Sequence, residues 1–153
     1  MKKTGIIAFL TALLVVGSSF KSDFDEQEWL AWTNNCLNKI FNPSADKKLK
    51  KWNLSVTSDS FIRLRKYYVK NKQVYYSFNL TKLKDIEYRG NAKKGTLELK
   101  TKEDDIMMQT YNNRRGGDID EMKTVLDIPV KNMKAAYLDS LKQGLNYLKE
   151  KAL

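Results

Sequence analysis

The apolar residues of this 153-residue chain change their spacing twice, and that change limits the fold more than any other feature. Trp29, Trp32, Cys36, Leu37, Ile40 and Phe41 recur at three- and four-residue intervals and form one helical stripe. Asp23, Asp25, Glu26 and Glu28 stand at its start, where carboxylates complement the positive end of a helix dipole. A helix is therefore expected from about residue 25 to 41, stopped by Asn42-Pro43. Lys47 to Lys51 reads as a basic loop, and the stretch from Trp52 to Thr57 opens a sheet.

From Phe61 the period is two. Ile62, Leu64 and Tyr68 alternate with Arg63, Arg65 and Tyr67 up to a polar tip at Lys70-Asn71-Lys72. Val74, Tyr76, Phe78 and Leu80 then alternate with Tyr75, Ser77 and Asn79, the cleanest strand pattern in the chain. Shorter runs follow at Asp85 to Tyr88, Thr96 to Thr101, Ile106 to Tyr111 and Lys123 to Val130. Pro129 lacks a backbone donor, which places it at an edge or a strand end. Over residues 131–151 the helical spacing returns, with Met133, Ala136, Tyr137, Leu141, Leu145 and Leu148 on one side. The expected class is α+β: an N-terminal helix, a bent antiparallel sheet or partial barrel of six or seven strands over about residues 52–130, and a closing C-terminal helix.

Charge and composition bound the chemistry. Lys and Arg number 28 against 18 Asp and Glu, a formal charge of +10, and there is no histidine. Without imidazole there is no Ser-His-Asp triad, no Cys-His pair and no His-ligated zinc. One cysteine, Cys36, forms no intramolecular disulfide and reads as a small buried hydrophobe on the apolar stripe.

Residues 1–19 read as a targeting segment. Lys2-Lys3 is a short basic start, Ile6 to Val16 is apolar apart from Thr11, and Gly17-Ser18-Ser19 supplies small residues for cleavage. The apolar run is shorter than the ~20 residues a membrane-spanning helix needs. Cleavage there takes two from the 28 basic residues and leaves 26 against 18 acidic, a charge of +8. The product, residues 20–153, fits one domain of ~100–200 residues. With a short leader and no disulfide, it is expected in the periplasm or on the surface of a bacterium, with no transmembrane span after leader removal. Monomer or weak dimer is the expected state.

Four constellations could carry chemistry. Arg63, Arg65, Lys66, Lys70 and Lys72 surround the hairpin tip and could hold an anion, or could be a solvated face with lysine guarding a strand edge. Tyr67 and Tyr75 are expected on the same outer face, giving an aromatic-basic patch for bases or sugars. Asp85 with Glu98-Leu99-Lys100 matches the loose Asp…Glu-x-Lys pattern of metal-dependent nucleases, yet Glu98 and Lys100 simply alternate with Leu97 and Leu99 as an exposed strand face does. Glu103-Asp104-Asp105 and Asp118-Ile119-Asp120-Glu121 lack the spacing of an EF-hand and read as solvated turns.

The order of elements, with Val125-Leu126-Asp127-Ile128-Pro129-Val130 running straight into Met133…Leu148, resembles a pleckstrin-homology-like domain over roughly residues 52–151. The chain also resembles small exported proteins of unknown function from Bacteroidetes-type bacteria. In phosphoinositide-binding relatives basic residues at the first hairpin grip phosphates, and the resemblance places that role on Arg63, Arg65, Lys66, Lys70 and Lys72. Two departures stand out: residues 131–151 contain no tryptophan, and an extra helix precedes the sheet.

The function expected from these readings is an exported, non-catalytic binding or interaction module with no cofactor, no metal and no catalytic residue. Its concave site would lie between the sheet and the Trp29/Trp32 helix. The alternatives are a basic envelope protein docking on anionic lipid, polysaccharide or nucleic acid, or on a protein partner, and a metal-dependent hydrolase using Asp85 and Glu98.

Overall fold

The computed structural model describes residues 24–153, so the targeting segment expected at residues 1–19 lies outside the described residues. Helix α1 (Glu26–Ile40) starts where the acids place it. The Asp25 carboxylate accepts the Glu28 backbone N–H at 2.8 Å and so caps the first turn. Trp29, Thr33, Cys36, Leu37 and Ile40 are its buried positions.

Eight antiparallel strands follow. These are β1 (Lys51–Val56), β2 (Phe61–Tyr67), β3 (Gln73–Asn79), β4 (Leu83–Gly90), β5 (Lys94–Thr101), β6 (Ile106–Tyr111), β7 (Asp120–Lys123) and β8 (Val125–Lys131). They form a five-stranded sheet in the order β1-β2-β3-β6-β7 and a three-stranded sheet in the order β4-β5-β8. The sheets do not join into a barrel. Leu54, Val56, Ile62, Leu64, Phe78 and Ile106 of the larger sheet share one buried cluster with Leu83, Ile86, Leu97, Leu99, Leu126, Ile128 and Val130 of the smaller. That cluster, with Trp29, Leu37 and Ile40 of α1, packs between the helix and the sheets. The concavity on the Trp32 helix is a hollow of about 420 Å³ lined by Trp32, Cys36, Ile40 and Tyr137.

The last strand differs from expectation. The run expected over residues 123–130 is β8 on the small sheet. Lys123 instead ends β7 on the large sheet, a strand built from Asp120 and Glu121, which were expected in a solvated turn. Thr124 is the breakpoint, and its carbonyl accepts the Thr101 N–H at 2.9 Å. Strand β7 is exposed almost throughout and shows no alternation of buried and exposed residues, so periodicity does not reveal it.

The closing helix α2 (Ala135–Ala152) starts later than residue 131. Lys131 still pairs with Lys94 in the small sheet, and Asn132 turns the chain in the left-handed region at φ 52°. Met133 is buried in the connection. Helix α2 packs on α1 and on the turn at Leu80–Lys82. Gly144 allows the close approach to α1: a Cβ there would stand 2.7 Å from Thr33 Oγ1 and 2.9 Å from Trp29 Cε3.

Helix α1 also covers the outer edge of β1. Asn34 Oδ1 accepts the Val56 N–H at 2.7 Å, and its Nδ2 donates to the Val56 carbonyl at 2.9 Å. Asn38 Nδ2 donates to the Leu54 carbonyl at 3.1 Å. The two amides satisfy backbone groups that an edge strand would otherwise present to solvent.

Candidate functional site: a basic trough at the hairpin end

The β2–β3 hairpin carries all seven residues expected to bind, and its register separates them into three places. It is the second hairpin of the sheet, since β1 already pairs with β2. Arg65 lies opposite Tyr75 and Tyr67 opposite Gln73, so Arg63, Arg65, Tyr67 and Tyr75 share the outer face, as expected. The Arg65 guanidinium lies over Tyr75 at 4.3 Å and near Tyr111 at 5.8 Å, and donates to Gln73 Oε1 at 2.8 Å. Arg63 lies over Phe61 and pairs with Asp59 at 3.8 Å. Lys51 lies over Tyr67 at 5.6 Å. These cations are engaged by their own sheet face.

Lys66 leaves the group. It pairs with Val74 and so belongs to the opposite, core-side face, where it lies 6.0 Å from the Tyr76 ring. Burial lowers the pKa of its ammonium, opposed by the Asp46 carboxylate. Alternation with Arg63 and Arg65 already carried that signal in the sequence.

Lys70 and Lys72 sit at the tip, where Lys70 and Asn71 adopt left-handed backbone at φ 58° and 61°. They border a groove of about 610 Å³ that runs between the tip and the β6–β7 loop. Lys48, Arg114 and Arg115 complete its basic lining. A second hollow of about 320 Å³ shares Lys70, Asn112, Asn113 and Arg114 with the first and extends it towards Asp118. The two form one trough.

The carboxylates of the trough are already engaged. Asp46 Oδ2 accepts the Tyr68 hydroxyl at 2.7 Å, and Oδ1 accepts the Lys48 N–H at 3.1 Å. The Tyr68 hydrogen bond holds the Asp46 carboxyl below its usual range, while burial and the same bond push the Tyr68 phenol up. Asp118 Oδ1 accepts the Asn113 N–H at 2.8 Å and shapes the loop. Among the described residues, none of Lys48, Lys70, Lys72, Arg114 and Arg115 has a carboxylate within ion-pair distance. Lys48, Arg114 and Arg115 were missed in the sequence because they come from loops far from the hairpin in the chain.

The acidic segments make local bonds. Asp105 Oδ2 accepts the Glu103 N–H at 3.0 Å, and Asp104 Oδ1 accepts the Thr124 hydroxyl at 2.9 Å. Asp120 and Glu121 are in β7.

Glu98 corrects an expectation. It points away from Leu97 and Leu99, yet only 6% of it is exposed. Arg89, whose own side chain is 71% exposed, pairs with its carboxylate, and Lys100 bridges Glu87 at 2.8 Å and Glu98 at 3.7 Å. Glu98 stands directly between Glu87 and Asp127 in the register, so these cations offset a row of like charge. The lysine of the nuclease-like pattern is thus the counter-ion of two glutamates. Among the described residues no group of three or more acidic or cysteine side chains is placed to hold a metal ion.

Glu98→Ala is expected to cost about 1 kcal/mol, since its partners can regain water. Asp127→Ala, at an exposed position of the same row, should change stability by less than ~0.5 kcal/mol. Urea unfolding of both variants checks the difference, and equal midpoints would assign no stabilisation to the Arg89 pair.

No family model matches the chain, and no curated protein or solved structure matches it. No helix among the described residues is long and apolar enough to cross a membrane.

Proposed function

We propose that the protein is an exported, non-catalytic binding module that holds an anionic ligand in the trough at its hairpin end. One observation carries the reading. Five cationic side chains from three separate segments line the larger hollow, and the one carboxylate in each hollow, Asp46 and Asp118, already accepts hydrogen bonds from the protein. Lys and Arg recognise anions through charge-assisted hydrogen bonds, and here five cations outnumber the two carboxylates. The seven expected binding residues thus give two to this site, Lys70 and Lys72. The pleckstrin-like arrangement belongs to the same reading, supported by antiparallel strands followed by a helix packed on the core. The eighth strand and α1 are additions to that arrangement.

A paired charge reversal tests the site. Arg114→Glu/Arg115→Glu should weaken binding of an anionic probe by about tenfold or more. Lys84→Glu/Lys93→Glu makes the same change in net charge at exposed positions outside the trough and should change binding far less. The probes are oligogalacturonate, inorganic polyphosphate, poly(dT) and phosphatidylglycerol vesicles, titrated at fixed ionic strength because screening scales all such contacts. Loss of equal size in both variants, or no binding of any probe, would overturn the reading. Export is checked separately by intact mass of the protein from its native host. A mature chain starting near Phe20 is expected, and retention of residues 1–16 contradicts export by a cleaved leader.

A further inference from the structure

We propose that the ligand of the trough is a linear acidic polysaccharide, an inference that rests on the anion-binding reading above. Three features of the lining select the class. The first is size. The two hollows of about 610 and 320 Å³ share four lining residues, and each exceeds what one phosphate or sulfate fills. Pockets of ~300–1,000 Å³ accommodate ligands of many atoms. The five cations of the lining can then meet charges that repeat along a chain.

The second feature is the aromatic lining. Tyr68 is the aromatic side chain bordering the main groove, its hydroxyl bonded to Asp46 and its ring covered by Lys72 at 5.7 Å. Single-stranded nucleic acid sites couple a basic groove to rings on which bases stack. Tyr67 and Tyr75, the two rings expected to stack, lie on the outer sheet face and are engaged by Lys51 and Arg65.

The third feature is a pair of hydrogen-bond acceptors. Asn112 Nδ2 donates to the Asn71 carbonyl and Asn113 Nδ2 to the Gly117 carbonyl, each at 2.9 Å. Among the described residues both side-chain oxygens accept no hydrogen bond, and both residues border the two hollows. Carboxylate, sulfate and phosphodiester groups are acceptors and cannot use them. A sugar hydroxyl is a donor and can. Cations for the charges and amide oxygens for the hydroxyls together describe a charged, hydroxylated polymer.

The experiment compares oligogalacturonate with polyphosphate, poly(dT) and phosphatidylglycerol vesicles on the full chain, using the wild type, Arg114→Glu/Arg115→Glu and Asn112→Gly. Glycine keeps the left-handed backbone that Asn112 adopts at φ 58°. It removes the amide, both the oxygen and the bond to the Asn71 carbonyl, so polyphosphate binding serves as the control for the loop. Oligogalacturonate is expected to bind most tightly at equal charge. Asn112→Gly should weaken it several-fold and leave polyphosphate unchanged, whereas a loosened loop would weaken both. Tighter binding of polyphosphate, poly(dT) or vesicles, abolished by the arginine reversal, overturns the polysaccharide and leaves the anion site standing. An Asn112→Gly variant that loses both polymers equally also overturns the hydroxyl contact. If no probe responds to the arginine reversal, both readings fall.

Discussion

Leu141→Ala is expected to lower the unfolding free energy by about 2–5 kcal/mol, the range for truncating a buried leucine. Leu141 is fully buried midway along α2, with Leu145 and Leu148 on the same face. Fraying at the helix ends cannot relieve a cavity there. The loss would reach the whole molecule, because α2 joins the same buried cluster as Phe78, Leu126 and Ile128 of the two sheets. An ordinary domain has ~5–15 kcal/mol in hand, so thermal unfolding should show a clearly lower midpoint. Lys142→Ala, one residue on, should cost under ~0.5 kcal/mol. A wild-type midpoint for Leu141→Ala would mean that α2 lies on the core without sealing it.

The second large effect is expected at Gly144, where adding a single methyl group should destabilise by about 1–3 kcal/mol. An alanine favours a helix interior over glycine by ~1 kcal/mol, so propensity alone predicts the opposite sign. Packing decides the outcome, because the added Cβ meets Thr33 Oγ1 at 2.7 Å and the Trp29 ring at 2.9 Å, both buried. Thr33 Oγ1 has no hydrogen-bond partner within the described residues, so removing it sacrifices little. Gly144→Ala/Thr33→Ala should therefore recover much of the loss. Chemical denaturation of the two single variants and the double variant measures the coupling. Additive effects would show that the helices separate without regard to Thr33.

The two helices and the hairpin strands were legible in the sequence because local rules govern them. Asp25 caps, Asn42-Pro43 stops, and Val74 to Leu80 alternates without interruption. Strand β7 was not legible, because Asp120–Lys123 is exposed almost throughout and has the composition of a polar turn. Burial of Glu98 was hidden for a different reason. An outward position on a strand is ordinarily wet, and only the register that lays Arg89 and Lys100 over it shows otherwise. The trough was half legible. Lys70 and Lys72 are visible as a basic tip, while Lys48, Arg114 and Arg115 join them only after the sheet brings three loops together. Alternation would have set Lys66 apart from its neighbours, since it differs in parity from Arg63 and Arg65.

The amides of Asn34 and Asn38 make α1 a stand-in for a neighbouring strand along β1. A chain that has made its sheet before α1 docks would present Leu54 and Val56 backbone groups as a template for a second copy. Helix docking therefore acts as the safeguard against edge-to-edge aggregation, and it does so with two uncharged side chains. Because α1 lies next to β1 in the chain, the cover is tethered to the edge it protects by a connection of about ten residues.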